Sequence, residues 1–189
     1  DKTYDGSVTA TMDGTAAVYS GLVSGDTFDG SYTGVFSDAN VGTGKTVTIT
    51  PSYSGADVNN YSVTDQSTTT ADISAKALTA TASTSNKTYD GGTTASTTLT
   101  FTGLVGSETL GQTVGSTFDN KNVGSNKTVT VNSITLSDGS GLAANYSISA
   151  GQTTTANITA KSLTVSGITA SNKTYDGSTN ATLDASLVA

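Results

Sequence analysis

One pattern limits this chain more than any other. The six residues "DKTYDG" at 1–6 return as "NKTYDG" at 86–91 and 172–177, so that Lys2, Lys87 and Lys173 stand 85 and 86 residues apart. Other blocks recur in the same order: "GLVSGDTF" (21–28) as "GLVGSETL" (103–110), "FSDANVGTGKTVTI" (36–49) as "FDNKNVGSNKTVTV" (118–131), and "NNYSVTDQSTTTADISAKALT" (59–79) as "ANYSISAGQTTTANITAKSLT" (144–164). The chain therefore holds about two and a quarter copies of one module of about 85 residues. That period exceeds the roughly 20–45 residues of a solenoid rung and suits a small β-domain with its own core.

Alternation inside each copy specifies strands. Ala71, Ile73 and Ala75 fall on one face of "TTTADISAK", and Ala156, Ile158 and Ala160 repeat this. Val47 and Ile49 correspond to Val129 and Val131, Leu78 alternates with Ala80 and Ala82, and Tyr61 and Val63 correspond to Tyr146 and Ile148. Asp-Gly pairs and the Asn-Val-Gly loops at 40–42 and 122–124 mark turns between these runs. No helical period is present, so six to eight short strands per copy are expected, mainly antiparallel. Composition agrees: 39 Thr and 26 Ser fill about a third of the chain, with a single proline, Pro51. The expected fold class is all-β: tandem small antiparallel β-sandwich, Ig-like domains arranged as an elongated rod. The expected units are residues 1–75 (repeat 1, lacking its first strand), 76–160 (repeat 2, complete) and 161–189 (the start of repeat 3). The spacers "TASTSN" and "VSGITASN" carry no proline and little glycine, which predicts strand running across each junction and stiff coupling between neighbours.

Missing residue types narrow the chemistry. There is no His, Cys, Trp or Arg, and eight Lys stand against fifteen Asp and Glu, a net charge of −7. Without imidazole or thiolate the usual general base, nucleophile and zinc ligands are absent. The acidic balance argues against nucleic acid, and no apolar run nears the roughly 18–20 residues that span a bilayer. The chain starts inside a motif and stops soon after another begins, so it reads as a window of a longer polypeptide.

Lys2, Tyr4, Asp5 and Gly6, with Lys87, Tyr89, Asp90, Gly91 and Lys173, Tyr175, Asp176, Gly177, form the repeated motif, and Tyr61 and Tyr146 recur in register. Lys, Tyr and Asp are able to do acid–base work. The stronger reading is structural: Asp-Gly makes a tight turn, the Tyr buries its ring with its hydroxyl at the rim, and Lys and Asp are paired surface charges of little energetic weight. Asp38, Asn40, Asp119, Asn120, Asn122 and Asp138 are candidate calcium ligands in loops, but none has EF-hand spacing, so no cofactor is expected. A Lys–Asn isopeptide cross-link would need a buried acid, and Glu108, the only Glu, with Asp26 in its place in copy one, stands in an expected turn. Seven sequons begin at Asn60, Asn86, Asn126, Asn145, Asn157, Asn172 and Asn180. Tyr19, Tyr32 and Tyr53 occur in copy one only and are the candidates for a sugar platform.

The ordered blocks Tyr4-Asp5-Gly6, Tyr89-Asp90-Gly91 and Tyr175-Asp176-Gly177, then G-L-V, N-V-G, "NY" and "ITAK-L-T", resemble the YDG repeat, a relative of the MBG repeat of bacterial surface proteins. What the resemblance implies is a stalk or fibre segment of a secreted, extracellular bacterial cell-surface adhesin of the filamentous-haemagglutinin-like kind. It brings no catalytic residues, and an enzyme is not expected. The implied partners are neighbouring repeats of the same polypeptide, other copies of the chain in a fibre, or a host or matrix glycan, with no nucleic acid and no membrane insertion. Two alternatives stand beside the stalk: a repeated glycan- or protein-binding module, and a fibre subunit assembling by β-strand addition, since copy one is without its own "AK-L-T" strand.

Overall fold

The structure is a computed structural model that describes residues 1–184, so residues 185–189 of the expected third copy lie outside it. The chain is all-β, and among the described residues helix is confined to two 3-10 turns, Val58–Asn60 and Ala143–Asn145. Thr, Val and Ile dominate the strands because their branched side chains fit a pleated, half-buried surface.

In the first copy, β1 (Lys2–Thr3), β2 (Thr9–Ala10), β3 (Asp29–Phe36), β4 (Gly42–Ser54) and β5 (Thr68–Ser74) form one sheet in the order β1-β5-β4-β3-β2. The second copy contributes β6 (Lys76–Ala77), β7 (Thr79–Thr84), β8 (Lys87–Thr88), β9 (Thr97–Thr102), β10 (Leu110–Phe118), β11 (Gly124–Asp138), β12 (Tyr146–Ser147) and β13 (Thr153–Thr159). Its main sheet runs β10-β11-β13-β8, while β6 pairs with β12 and β7 with β9. Strands β7 and β9 lie against β13 and β10. A short pair, β14 (Thr169–Ala170) with β15 (Leu183–Asp184), follows.

The copies agree in register as well as in sequence. Lys2 faces Ile73 as Lys87 faces Ile158, and Gly42 faces Ile73 as Gly124 faces Ile158. Both copies break register between that glycine and the following Lys45 or Lys127. The bulge needs a left-handed residue, supplied by Gly44 at φ 60° and by Asn126 at φ 52°; Asn tolerates that region better than most residues.

The long pairs β3–β4, β4–β5, β10–β11 and β11–β13 are antiparallel, as expected. Two-residue parallel pairs also occur, β1 with β5, β8 with β13 and β6 with β12. They need no crossover helix, because nearly a whole copy connects the two partners. Ile73, Val47, Val129, Val131 and Ile158 are almost fully buried, as the alternation predicts. Two positions depart from it: Val63 is 40% exposed, since no strand of the first copy lies where β6 and β7 cover its counterpart Ile148, and Ala160 is exposed. Among the described residues no helix is long and apolar enough to cross a membrane.

Candidate functional site

The KTYDG segment is a self-contained turn. Gly6 and Gly91 adopt φ of 78° and 83°, which only glycine enters without strain. Asp5 Oδ1 accepts the backbone N–H of Ser7 at 2.8 Å, and Asp90 Oδ1 that of Gly92 at 2.9 Å. The ammonium of Lys2 sits 2.6 Å from Asp5 and donates to Ser7 O at 2.9 Å and Thr9 O at 3.2 Å. Lys87 repeats this with Asp90 at 2.7 Å, Gly92 O at 3.0 Å and Thr94 O at 3.1 Å. The two ammonium groups also lie 5.8 and 5.9 Å from the ring centroids of Phe36 and Phe118. The expected Lys–Asp pairing is present in both copies, and each Lys also closes the loop by donating to carbonyls across it. Hydrogen bonding from Lys2, then from the Ser7 backbone, holds the Asp5 carboxyl down to about 2. Lys173, Asp176 and Gly177 build the same turn, with a 2.8 Å ion pair and φ of 72°. Tyr175 is 92% exposed there.

The turn positions the tyrosine, and the first tyrosine does not end in solvent. Tyr4 is 5% exposed; its ring packs with Phe36, Val47 and Ile73 of its own copy and edge-on against Tyr146 of the next, centroids 5.4 Å apart. Tyr4 Oη donates to Glu108 Oε1 at 2.7 Å, and Tyr146 Oη donates to Glu108 Oε2 at 2.6 Å. The backbone N–H of Val105 donates to Tyr146 Oη at 2.9 Å, so that phenol is both donor and acceptor. Beside this, Asn145, 2% exposed, accepts the N–H of Val41 on Oδ1 at 2.9 Å and donates through Nδ2 to Asn40 Oδ1 at 3.0 Å. Leu78, Leu104 and Val105 complete an apolar cluster shared by both copies. The bond to Glu108 and burial push the Tyr4 phenol up to about 12, and burial, then the same carboxylate, raises Tyr146. The junction is a carboxylate clamped by two phenols, a buried amide bound to the Val41 backbone and the Asn40 side chain of the other copy, and a continuous apolar seam.

Each copy carries both halves of this arrangement. On the acceptor side of the first copy, Tyr61 Oη donates to Asp26 Oδ2 at 2.6 Å and accepts the N–H of Val23 at 3.0 Å, matching Tyr146, Glu108 and Val105. There Asn60 is exposed and Val23 is 61% exposed. On the donor side of the second copy, Tyr89 packs half-buried against its own core cluster, and Val123 is 53% exposed. Tyr4, Tyr61, Tyr89 and Tyr146 are legible in the sequence as packing residues, whereas Tyr175, expected to pack like them, is exposed; Glu108 as the acceptor of Tyr4 and Tyr146, and Asn145 as the bridge to Val41 and Asn40, were not legible.

The other candidates are accounted for by the chain itself. Lys45 Nζ lies 2.7 Å from Asp38, and Lys127 lies 2.9 Å from Asp119 and 2.7 Å from Asn120 Oδ1, so these oxygens already face a cation. Asn122 N–H donates to Asn120 Oδ1 at 3.0 Å, and Asp138 Oδ1 accepts the N–H of Ala143 at 2.7 Å. Among the described residues no group of three acidic side chains gathers to hold a metal. Glu108 faces phenols rather than a lysine, which is not the arrangement of an isopeptide bond. The sequon at Asn145 is buried in the junction and closed to a glycan. Tyr19, Tyr32 and Tyr53 gather with Phe28 and Tyr61, and their hydroxyls are engaged: Tyr19 with Tyr32 at 2.9 Å and Tyr53 with Asp65 at 2.6 Å.

Fold and junction together define a tandem all-β repeat in which the tyrosine of the first KTYDG turn contacts the following copy. The family match agrees: the chain belongs to the YDG domain family, matched over residues 1–71 and again over 74–156. Comparison with curated proteins and with solved structures found no significant match.

Proposed function

We propose that the chain is a structural stalk or fibre segment of a secreted bacterial cell-surface adhesin or extracellular matrix filament, in which YDG units are coupled stiffly end to end. The units are 1–75, 76–160 and the start of a third at 161–189. The observation that carries this reading is Glu108, whose two oxygens bind Tyr4 of one unit and Tyr146 of the next. A hinge between freely moving beads would not hold a half-buried carboxylate bridge and a buried amide side by side. Strand β5 also leads into β6 through Ala75 alone, which leaves little slack. The extracellular, bacterial setting is inferred from the likeness of the repeat to those of filamentous-haemagglutinin-like adhesins. The partners in this reading are neighbouring repeats, and no catalysis is assigned. The glycan-binding alternative has less support, because the aromatic cluster of the first unit spends its hydroxyls on internal bonds.

Small-angle scattering on residues 1–160 at low concentration tests the reading. A narrow, elongated distance distribution is expected; a compact particle or a broad, hinge-averaged one would sink it.

A further inference from the structure

In each unit the strand that enters the KTYDG turn lies beside the unit's last long strand and runs the same way. The second unit shows the whole path. The chain enters at β6, beside the seam, where Leu78 joins the shared cluster. It then runs through β7 and β8 to the other end, where Tyr89 packs against the second unit's own cluster. Strand β13 returns the chain to that far end, parallel to β8, with Lys87 facing Ile158 and Thr88 facing Thr159. The first unit repeats the pair as β1 with β5, Lys2 facing Ile73 and Thr3 facing Ser74.

These pairs span two residues, yet they are bonded beyond that length, and identically in both units. Before the pair, the N–H of Asn157 donates to Asn86 Oδ1 at 2.7 Å, as that of Asp72 donates to Asp1 Oδ1 at 2.8 Å. Across it, Thr159 Oγ1 donates to Lys87 O at 3.3 Å, as Ser74 Oγ donates to Lys2 O at 3.3 Å. After it, the N–H of Tyr89 donates to Thr159 O at 2.8 Å, as that of Tyr4 donates to Ser74 O at 2.8 Å. Lys87 then ties β8 to the opposite edge of the sheet, which runs β10-β11-β13-β8. Residues 93–95 pair with 116–118 of β10, and the Lys87 ammonium donates to Thr94 O within that pairing.

Pulling the second unit end to end draws β8 toward the seam and β13 toward the far end. The force runs along both strands, so the bonds between them are loaded together and must break together. An antiparallel pair of outer strands would instead open from one end, one bond after another. We propose that the β8–β13 pair, with β1–β5 in the first unit, is a tension clamp: it sets the force at which a unit unfolds when the chain is pulled lengthwise, and Lys87 braces it by holding the turn to β10. Forced unfolding follows the unfolding barrier and not the equilibrium stability, so a unit with a modest core holds under load if its first step is costly. The inference rests on the stalk reading, because a clamp serves a segment under tension, and it gives the KTYDG turn its mechanical part.

Single-molecule force spectroscopy on the full chain, pulled in two directions, tests it. The chain has no cysteine of its own, so introduced cysteines carry the handles without competition. Thr79→Cys with Ala160→Cys, both at exposed positions, pulls the second unit lengthwise and loads β8 against β13 along the strands. Gly92→Cys with Ala160→Cys, again exposed, pulls from the far end alone and peels the same pair apart. The fold and its equilibrium stability are the same in both geometries, so a difference in force reports direction. A lengthwise unfolding force several-fold above the peeling force is expected. Lys87→Met is expected to lower the lengthwise force and to leave the peeling force nearly unchanged. Equal forces in the two directions overturn the clamp, and a fall in the same proportion along both in Lys87→Met overturns the part given to Lys87. A chain that scatters as a rod but shows no directional difference removes this inference and leaves the stalk reading; a hinged particle with a strong lengthwise force does the reverse.

Discussion

Glu108 is the residue on which the junction turns, and its chemistry sets a pH limit. A carboxylate accepting two phenolic protons is stabilising only while both phenols are neutral. Tyr4 has its folded-state value raised to about 12, above the roughly 10 of a free tyrosine. Its contribution is therefore fully present below about pH 10 and is lost as pH climbs toward 12, where an ionised phenol would face a carboxylate. Denaturation at a series of alkaline pH values should show stability falling across that window, and Tyr4→Phe should flatten the fall. At neutral pH the same variant should cost about 1.5–2 kcal/mol, the worth of a hydrogen bond to a charged group. A Tyr4→Phe profile that tracks the parent through the whole window would remove Tyr4 as the titrating group. The ring of Tyr4 was legible in the sequence as a packing element, because it recurs in register with other apolar positions. Its acceptor was not, since Glu108 lies 104 residues away and belongs to the next copy. A faint signal existed: the chain's only glutamate stands where the first copy has Asp26, so an acid recurs at that place in a repeat otherwise poor in Glu.

At the scale of elements, the Asp-Gly turn does two jobs that the two copies separate. Gly6 and Gly91 have nearly the same positive φ, so replacing either by Ala costs about 1–2 kcal/mol of backbone strain. Gly91 has open space at its Cβ position, whereas a Cβ on Gly6 would stand 2.9 Å from Val105 Cγ1 in the next unit. Gly6→Ala should therefore lose about 1 kcal/mol more than Gly91→Ala, from overpacking at the seam. Urea unfolding of the two variants measures that difference, and equal losses would mean that the turn does not bear on the junction. Tyr89→Ala belongs to the same comparison. Its ring is half-buried where that of Tyr4 is buried, so Tyr89→Ala should cost about 1–2 kcal/mol and Tyr4→Ala about 3, each read by the same titration. Strand identity was legible from alternation because branched and aromatic residues return every second position. Coverage was not legible, because alternation reports which face is apolar and not whether a neighbour lies on it. Val63 and Ile148 have the same pattern, yet only Ile148 has a strand beside it. Residues 16–20 hold the place of β9 in the first copy, with AAVYS where the second has TLTFT, and form no strand; the partner that β7 gives to β9 has no counterpart in the first unit.

At the scale of the whole molecule, the decisive feature is that one apolar cluster runs from Phe36, Val47 and Ile73 of the first unit through Tyr4 into Tyr146 and Leu78 of the second. A unit of about 85 residues buries a modest core and is marginal by itself, so a shared seam matters to both neighbours. In a repeat array, stability is the sum of what each unit has and what each interface adds, and strong interfaces make neighbours unfold together. Calorimetry on the parent chain should accordingly give one cooperative transition for residues 1–160. Glu108→Ala leaves two phenols without their acceptor, and Asn145→Ala leaves the N–H of Val41 without its acceptor and Asn40 Oδ1 without its donor. Either change should cost about 1–3 kcal/mol at the seam while leaving the strands of each unit paired. Together they should split the transition in two. The first unit would melt earlier, because it has five paired strands and an open groove where the second has eight strands. A double variant that still melts in one step, at a uniformly lower temperature, would mean that the units are coupled through the β5–β6 strand connection and the apolar seam alone. The polar clamp would then fix the angle between units rather than their cooperativity, a role that the scattering profile of the same variant reads directly.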